Sequence, residues 1–447
     1  MIEIYLRSRH SFYLVNIKGE LLKNLYPVLI LICIILIDLG CVKNGNKCLA
    51  KGRYIDYFKD SCPDDPDNRC AAIDWTKTGS GYWSNYKTCL EMTALAGSSG
   101  SVSTSLISFT NSDSMQWNGG ALATNGKIYG LPNSGLNPAS VLKIDPDAGS
   151  VSKLSFANTA RETWFGGILA PNGKIYGIPS SSGDPTYILL IDPSNDGIST
   201  LSFANAASHS WAAGVLAPSG IIYATSSSGV DPALIMKINP SSNSISTISV
   251  SNAASEAWVG AVLGPDGKIY FIPASGNNPG IVLVLDPSTE TTTSISFTNA
   301  AGSGWWGGAI APNGKIYALS KTGNPGKILI VDPTAATASL KDFTNSTSTQ
   351  SSGLVLAPNG LMYSITSVDA ATSTGLIFNY STETVSTYSF TGVVNTSWIG
   401  GVGTTSGKIY GMPAAGLSTT EYVLVIDSKS VGHFPSGIAL SSFVNKF

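Results

Sequence analysis

Charged residues are scarce in this chain: they make up 12% of its 447 residues, about half the usual quarter. The formal net charge is −2, and no stretch concentrates lysine and arginine, so the electrostatic footprint of a nucleic-acid-binding protein is missing. Histidine is scarcer still, with three residues, and no Ser-His-Asp order, P-loop, HExxH or dinucleotide fingerprint occurs. Cysteine is confined to one end, the last of six being Cys89. Glycine, serine, threonine and asparagine fill the gap. With 43% apolar and 9% aromatic residues, the chain still carries enough to bury a large core, and its composition is not that of a disordered protein.

The apolar run Val28–Ile37 is about ten residues long, short for a membrane span and suited to the hydrophobic region of a signal peptide. Arg7, Arg9, Lys18 and Lys23 precede it. Residues 1–40 are therefore read as a targeting segment. Leu39-Gly40-Cys41 resembles the end of a bacterial lipobox, although Asp38 stands where that motif has a small or apolar residue. The resemblance implies a lipid on Cys41 and an exported lipoprotein held at the periplasmic membrane or cell surface of a bacterial envelope. Residues 41–101 form a Cys-containing segment and linker. Cys48, Cys62, Cys70 and Cys89 lack a CxxC pair, so disulfides in an oxidising compartment are expected rather than a zinc site, with all three pairings open. Asp64-Asp65-Pro66-Asp67 reads as a solvated turn, lacking the glycine and terminal glutamate of a calcium loop.

From residue 102 the chain is periodic. Trp117, Trp164, Trp211, Trp258 and Trp305 follow one another at intervals of 47 residues; Ser351 and Trp398 continue the series. A phenylalanine or valine stands eight residues before each, from Phe109 to Phe390. The copies are rich in glycine and β-branched residues, so a unit of four strands is expected. In the second copy these are Gly166–Ala170, Lys174–Ile178, Tyr187–Ile191 and Ile198–Phe203. Asn172-Gly173 between the first two strands predicts a two-residue hairpin with positive φ at both central positions. Asp192-Pro193 turns the chain between the last two. Seven such sheets predict an all-β, seven-bladed β-propeller over residues 102–447. Two segments compete to close the ring, Val102–Phe109 and Ile438–Phe443, and the pattern does not choose between them.

The recurring Pro-(Asn/Asp)-Gly-Lys-Ile-Tyr followed by Ile-Asp-Pro resembles the repeats of YVTN/NHL-type propellers and of the seven-bladed streptogramin lyases. The lyase resemblance implies a metal-assisted site built from histidine and glutamate. Here only His209 and His433 fall in the repeats, so no catalytic residue is transferred, and no metal or other cofactor is expected of the chain itself. A shared fold does not transfer chemistry.

In an up-and-down sheet the first-to-second and third-to-fourth turns lie on one face of the ring. These turns barely vary, whereas the loops of the other face do, and a ligand site needs copy-specific chemistry. The loops before each tryptophan contribute Arg161, Glu162, His209 and Glu256, expected as a shared ligand-binding pocket. The loops after each second strand contribute Asp184, Asp231, Lys321, Asp369 and Glu421. The tryptophans are read as wedges between blades, with stacking on a ligand as the alternative. Lys127, Lys174, Lys268, Lys315 and Lys408 stand on the constant face with Asp145, Asp192, Asp286, Asp332 and Asp427, and surface ion pairs are expected there. The leading expectation is a monomeric, lipid-anchored module that binds a protein or glycan. The alternative is a lyase or lactonase using loop carboxylates with Ca²⁺ or Mg²⁺.

Overall fold

The computed structural model describes residues 101–428 apart from breaks at 182–185, 206–208, 228–229, 231–232, 253–254, 279, 322–325, 345–349, 358, 367–373, 391–396, 405 and 416–418, together with backbone pairings within 2–17, 42–47 and 445–446. Val28–Ile37 and the cysteines at 41, 48, 62, 70 and 89 fall outside the described residues. Near the N-terminus Ile2–Ser8 pairs with Ser11–Ile17, and Val42–Lys43 with Asn46–Lys47.

The repeats build seven antiparallel sheets, each a simple meander, which together form a seven-bladed β-propeller. Blade 2 is representative. Its strands run Trp164–Leu169, Ile175–Pro179, Thr186–Asp192 and Gly197–Phe203, from the centre of the ring outwards. The second strand is buried along its whole length, and the third nearly so, while the outer strand alternates towards solvent. That gradient explains why the third strand is an almost unbroken apolar run and the outer one is rich in Ser and Thr.

Ser103–Thr110 closes the ring. It pairs along its full length with Thr420–Asp427, in the register Ile107↔Val423, and so supplies the outer strand of blade 7. The competing segment Ile438–Phe443 lies outside the described residues. The chain returns at Asn445–Lys446, which joins the opposite edge of that sheet, pairing with Val402 and Gly401 of the innermost strand.

The blades are held together by large residues facing glycines. The inner strand carries a bulge between Trp164 and Gly167, and Gly166 at its centre has a φ of 79°, a conformation that a side chain strains. Gly167 instead makes room for the neighbouring blade, since a Cβ there would stand 2.6 Å from Leu131 Cδ2 of blade 1. The repeat tryptophans are buried. Each of Trp117, Trp164, Trp258, Trp305 and Trp398 donates its indole N–H to a carbonyl on the third strand of its own blade, Trp164 to Tyr187 at 2.8 Å. The phenylalanine ending the preceding outer strand meets the indole, as Phe390 meets Trp398 edge-on at 5.3 Å and 89°. These six indoles are therefore packing elements, as the sequence favoured.

The constant face departs from expectation in its turn. Gly173 N–H donates to Ala170 O, and Ala170 N–H to Lys174 O. The loop therefore has three residues, Pro171-Asn172-Gly173, and only the glycine has positive φ, at 79°. This is a type I turn completed by a left-handed residue, not the two-residue hairpin. The same loop forms at Ser219-Gly220 and Asp266-Gly267, so the single left-handed glycine sets it. The Asn172 side chain adds to it, its Oδ1 accepting from Lys174 N–H and its Nδ2 donating to the Tyr176 hydroxyl and to Pro240 O of blade 3. The equivalent Asn125 reaches Pro193 O of blade 2, and Asn359 reaches Ser428 O of blade 7. The recurring motif is thus a clasp from one blade to the next. Expected ion pairs form between Lys127 and Asp145, Lys174 and Asp192 (3.6 Å), and Lys315 and Asp332 (3.2 Å). Others cross between blades, joining Lys143 to Asp196, Lys237 to Glu290 and Lys341 to Glu383.

Candidate functional site

The variable face is built on an asparagine that stands six residues before the repeat tryptophan. Asn158 donates Nδ2–H to Glu162 O at 2.9 Å and accepts Glu162 N–H on Oδ1 at 3.0 Å. Asn111, Asn205, Asn252 and Asn299 make the same pair of bonds with Met115, His209, Glu256 and Ser303. A side chain here does what a backbone turn would do, bonding both groups of a residue four further on. The residue between must then turn left-handed: Arg161 has φ 55° and Ser255 φ 50°. Among the described residues these five loops therefore share one frame, and their chemistry varies at the residue which that frame draws inwards.

The four predicted residues are placed accordingly. Arg161 presents an exposed side chain at the left-handed position. Glu162, His209 and Glu256 occupy the same drawn-in position of three successive loops, and all are buried. Each glutamate faces its own blade. Glu162 accepts from Ser181 Oγ and from Tyr187 N–H at 3.2 Å. Glu256 accepts from Ser275 Oγ and from Ser275 N–H at 3.2 Å. Burial raises the pKa of both, that of Glu256 to about 6. The His209 ring lies 5.8 Å from that of Trp211. Among the described residues no three His, Cys, Asp or Glu side chains come together as a metal site. Of the other loop charges, Glu421 is buried, and Asp184, Asp231 and Asp369 lie outside the described residues.

A further pair stands at the mouth of the ring in blade 5. Lys321 Nζ sits 3.4 Å from the centroid of the Trp306 ring, both side chains being half-buried. Burial holds the lysine below its ordinary pKa. The inner strand is irregular here: its ladder is reduced to Ala309–Ile310 plus an isolated bridge from Trp305 to Ser320. Gly307 N–H leaves the blade for Val259 O of blade 4, at 2.8 Å. The sequence signal is the doubled Trp305-Trp306, which no other copy has.

No protein-family model matches the chain, and no curated protein sequence does. The solved structures that it resembles are propellers of low identity. YCF48 from Cyanidioschyzon merolae aligns with a TM-score of 0.54 at 11% identity, covering 72% of this chain and 98% of that one. YCF48 bound to D1 peptide aligns at 0.50 and 10%, covering 72% and 94%. A chain of the mitotic checkpoint complex aligns at 0.51 and 13%, covering 72% and 90%. At such identity the likeness shows the fold.

Proposed function

We propose that the chain is an exported propeller of the YVTN/NHL repeat type, anchored to a bacterial cell envelope by a lipid on Cys41, and that its variable face binds a protein ligand. The observation that carries the binding role is the division of labour between the faces. On the constant face Asn125, Asn172 and Asn359 spend their side chains on the next blade. On the variable face the residues differ from blade to blade, and Arg161, exposed, with Trp306 and Lys321, half-buried, is left accessible to a partner. A surface whose chemistry changes around a ring suits an irregular partner. Two of the structural neighbours, YCF48 with its D1 peptide and the checkpoint-complex chain, are themselves seen with peptide or protein partners. Cysteines 48, 62, 70 and 89 are assigned to two disulfides, in keeping with export.

Photo-crosslinking in the producing cell tests the binding role. A benzophenone amino acid at Arg161 is expected to trap a protein, and the same group at Ser194 on the constant face is not. Adducts at Ser194 alone, or at neither position, would refute the assignment. The anchor is tested separately: mass spectrometry of the mature N-terminus should find diacylglyceryl-Cys41, and a soluble unlipidated mature protein would end that part of the proposal.

A further inference from the structure

Blade 5 departs from its sister blades at aligned positions that meet in space. The residue after the repeat tryptophan position is Asn118, Phe165, Ala212, Val259, Ser352 or Ile399 in the other copies, and an indole, Trp306, only here. The position of Lys321 is held by Asn133, Ser180, Ser227, Ala274, Ser367 and Ala414 elsewhere. Its backbone is unchanged: Lys321 N–H donates to Gly304 O at 2.9 Å, as Ser180 N–H donates to Thr163 O at 2.8 Å. Only the side chain is new. The next blade completes the departure, because Ser351 replaces the repeat tryptophan and gives its N–H to Lys321 O at 3.2 Å. Trp306 and Lys321 therefore lie at the seam of blades 5 and 6, at the variable-face end of the inner strand.

The chemistry of the pair is incomplete. Lysines 127, 143, 153, 174, 237, 315, 327 and 341 each have a carboxylate partner. Among the described residues none pairs with Lys321, whose ammonium rests on an indole face. Such a contact is electrostatic, the ammonium being drawn to the negative face of the ring. It orients the ammonium without neutralising it, and partial burial makes a carboxylate partner more valuable than it would be in open water.

We propose that Lys321 and Trp306 form the anchoring point for an acidic peptide, Lys321 pairing with a carboxylate and Trp306 packing against the methylenes beside it. The carboxylate is either an acidic side chain or a free C-terminus. This rests on the reading of the variable face as a protein-binding surface, and deepens it.

The test uses the full chain and three acetylated hexapeptides, followed by calorimetry up to millimolar concentration. One alternates Gly and Glu with an amidated end, one alternates Gly and Gln with a free end, and one alternates Gly and Gln with an amidated end. One or both acidic probes should bind, and the neutral one should not; which of them binds identifies the source of the carboxylate. Lys321→Gln should weaken binding about tenfold or more, Trp306→Leu should weaken it less, and Lys321→Arg should restore it. Near-UV circular dichroism checks that the variants fold. Equal binding by Lys321→Gln, or equal binding of the neutral probe, overturns the anchoring point and leaves the protein-binding reading standing. If no peptide binds but a glucuronate oligosaccharide does, the peptide reading falls; if nothing binds, the anchoring point falls.

Discussion

The Tyr129 hydroxyl of blade 1 donates to Asp196 Oδ1 of blade 2 at 2.8 Å. The same tyrosine accepts from Asn125 of its own hairpin, and Lys143 of blade 1 closes on the same aspartate. Asp196 sits in the turn between the third and fourth strands with φ 57°, so the motif of one copy grips the turn of the next. Between blades 1 and 2, as between blades 2 and 3 and blades 6 and 7, polar contacts at the rim thus add to the buried core.

Removing one such hydroxyl should loosen the ring without emptying the core. In Tyr176→Phe the bond to Asn243 Oδ1, 2.9 Å in the parent, is lost, and Asn172 loses an acceptor. A loss of about 1–2 kcal/mol is expected in urea unfolding, with peptide binding at the opposite face unchanged. An unaltered midpoint would mean that the clasp is replaced by water at no cost.

Closure of the ring makes a second prediction. Ladder N–H groups alternate along a strand, so of the neighbouring positions Leu106 and Ile107 one N–H faces the third strand of blade 7 and the other points away. Proline at the inward position removes a ladder hydrogen bond and leaves its acceptor unpaired, which should cost about 1–3 kcal/mol, and at the other position far less. The damaged variant should expose the edge of Thr420–Asp427 and become sensitive to proteases between blades 1 and 7. Equal tolerance of both prolines would show that Ser103–Thr110 is dispensable for closure.

The blades are legible because a wedge tryptophan, a left-handed glycine and a buried third strand recur at one interval, and each has a local sequence signature. The closing strand is not, since Val102–Phe109 and Ile438–Phe443 both carry the outer-strand pattern and only pairing distinguishes them. The hairpin length is hidden for a similar reason. Asn-Gly suits two loop lengths, and the Ser219-Gly220 and Asp266-Gly267 copies close the same three-residue loop, so the residue before the glycine does not announce the choice. Glu162, His209 and Glu256 look like loop charges sharing a pocket. What hides them is the asparagine four residues earlier, which is visible in the sequence but gives no sign there that it folds its follower inwards.

That asparagine makes a third prediction. Asn158→Ala removes the bonds to Glu162 N–H and O and the one to Leu136 O. It leaves buried backbone groups of the loop without partners, at a cost of about 2–3 kcal/mol. Asn158→Asp keeps the acceptor but turns the donor into a charge facing two carbonyls, so it should be no better at neutral pH. Hydrogen exchange of the Glu162 amide reads the effect directly: it should speed up in Asn158→Ala before global unfolding does. Unchanged protection at Glu162 would show that the loop keeps its shape without the side chain.

Glu256 gives the pH dependence. Burial is the main cause that raises its pKa from 4.5 to about 6, against the lowering effect of the hydrogen bonds from Ser275 and its neighbours. A carboxyl whose folded pKa is raised binds its proton more tightly in the native state. Its stabilising contribution is full below about pH 4.5 and is lost as the pH rises through about 6. A shift of that size corresponds to about 2 kcal/mol. Glu256→Gln keeps an acceptor for Ser275 and carries no charge, so it should be more stable than the parent above pH 6. The advantage should shrink steadily towards pH 4.5. The aspartates of the constant face act in the opposite sense, because hydrogen bonds and lysines lower the pKa of Asp145, Asp192, Asp196, Asp286 and Asp332, and their contribution is lost on acidification through the carboxylate range. They are common to parent and variant, so the difference in unfolding free energy between the two, measured from pH 4 to 8, isolates Glu256. A difference independent of pH would show that Glu256 titrates normally, and that its buried carboxylate is held by its hydrogen bonds at no electrostatic cost.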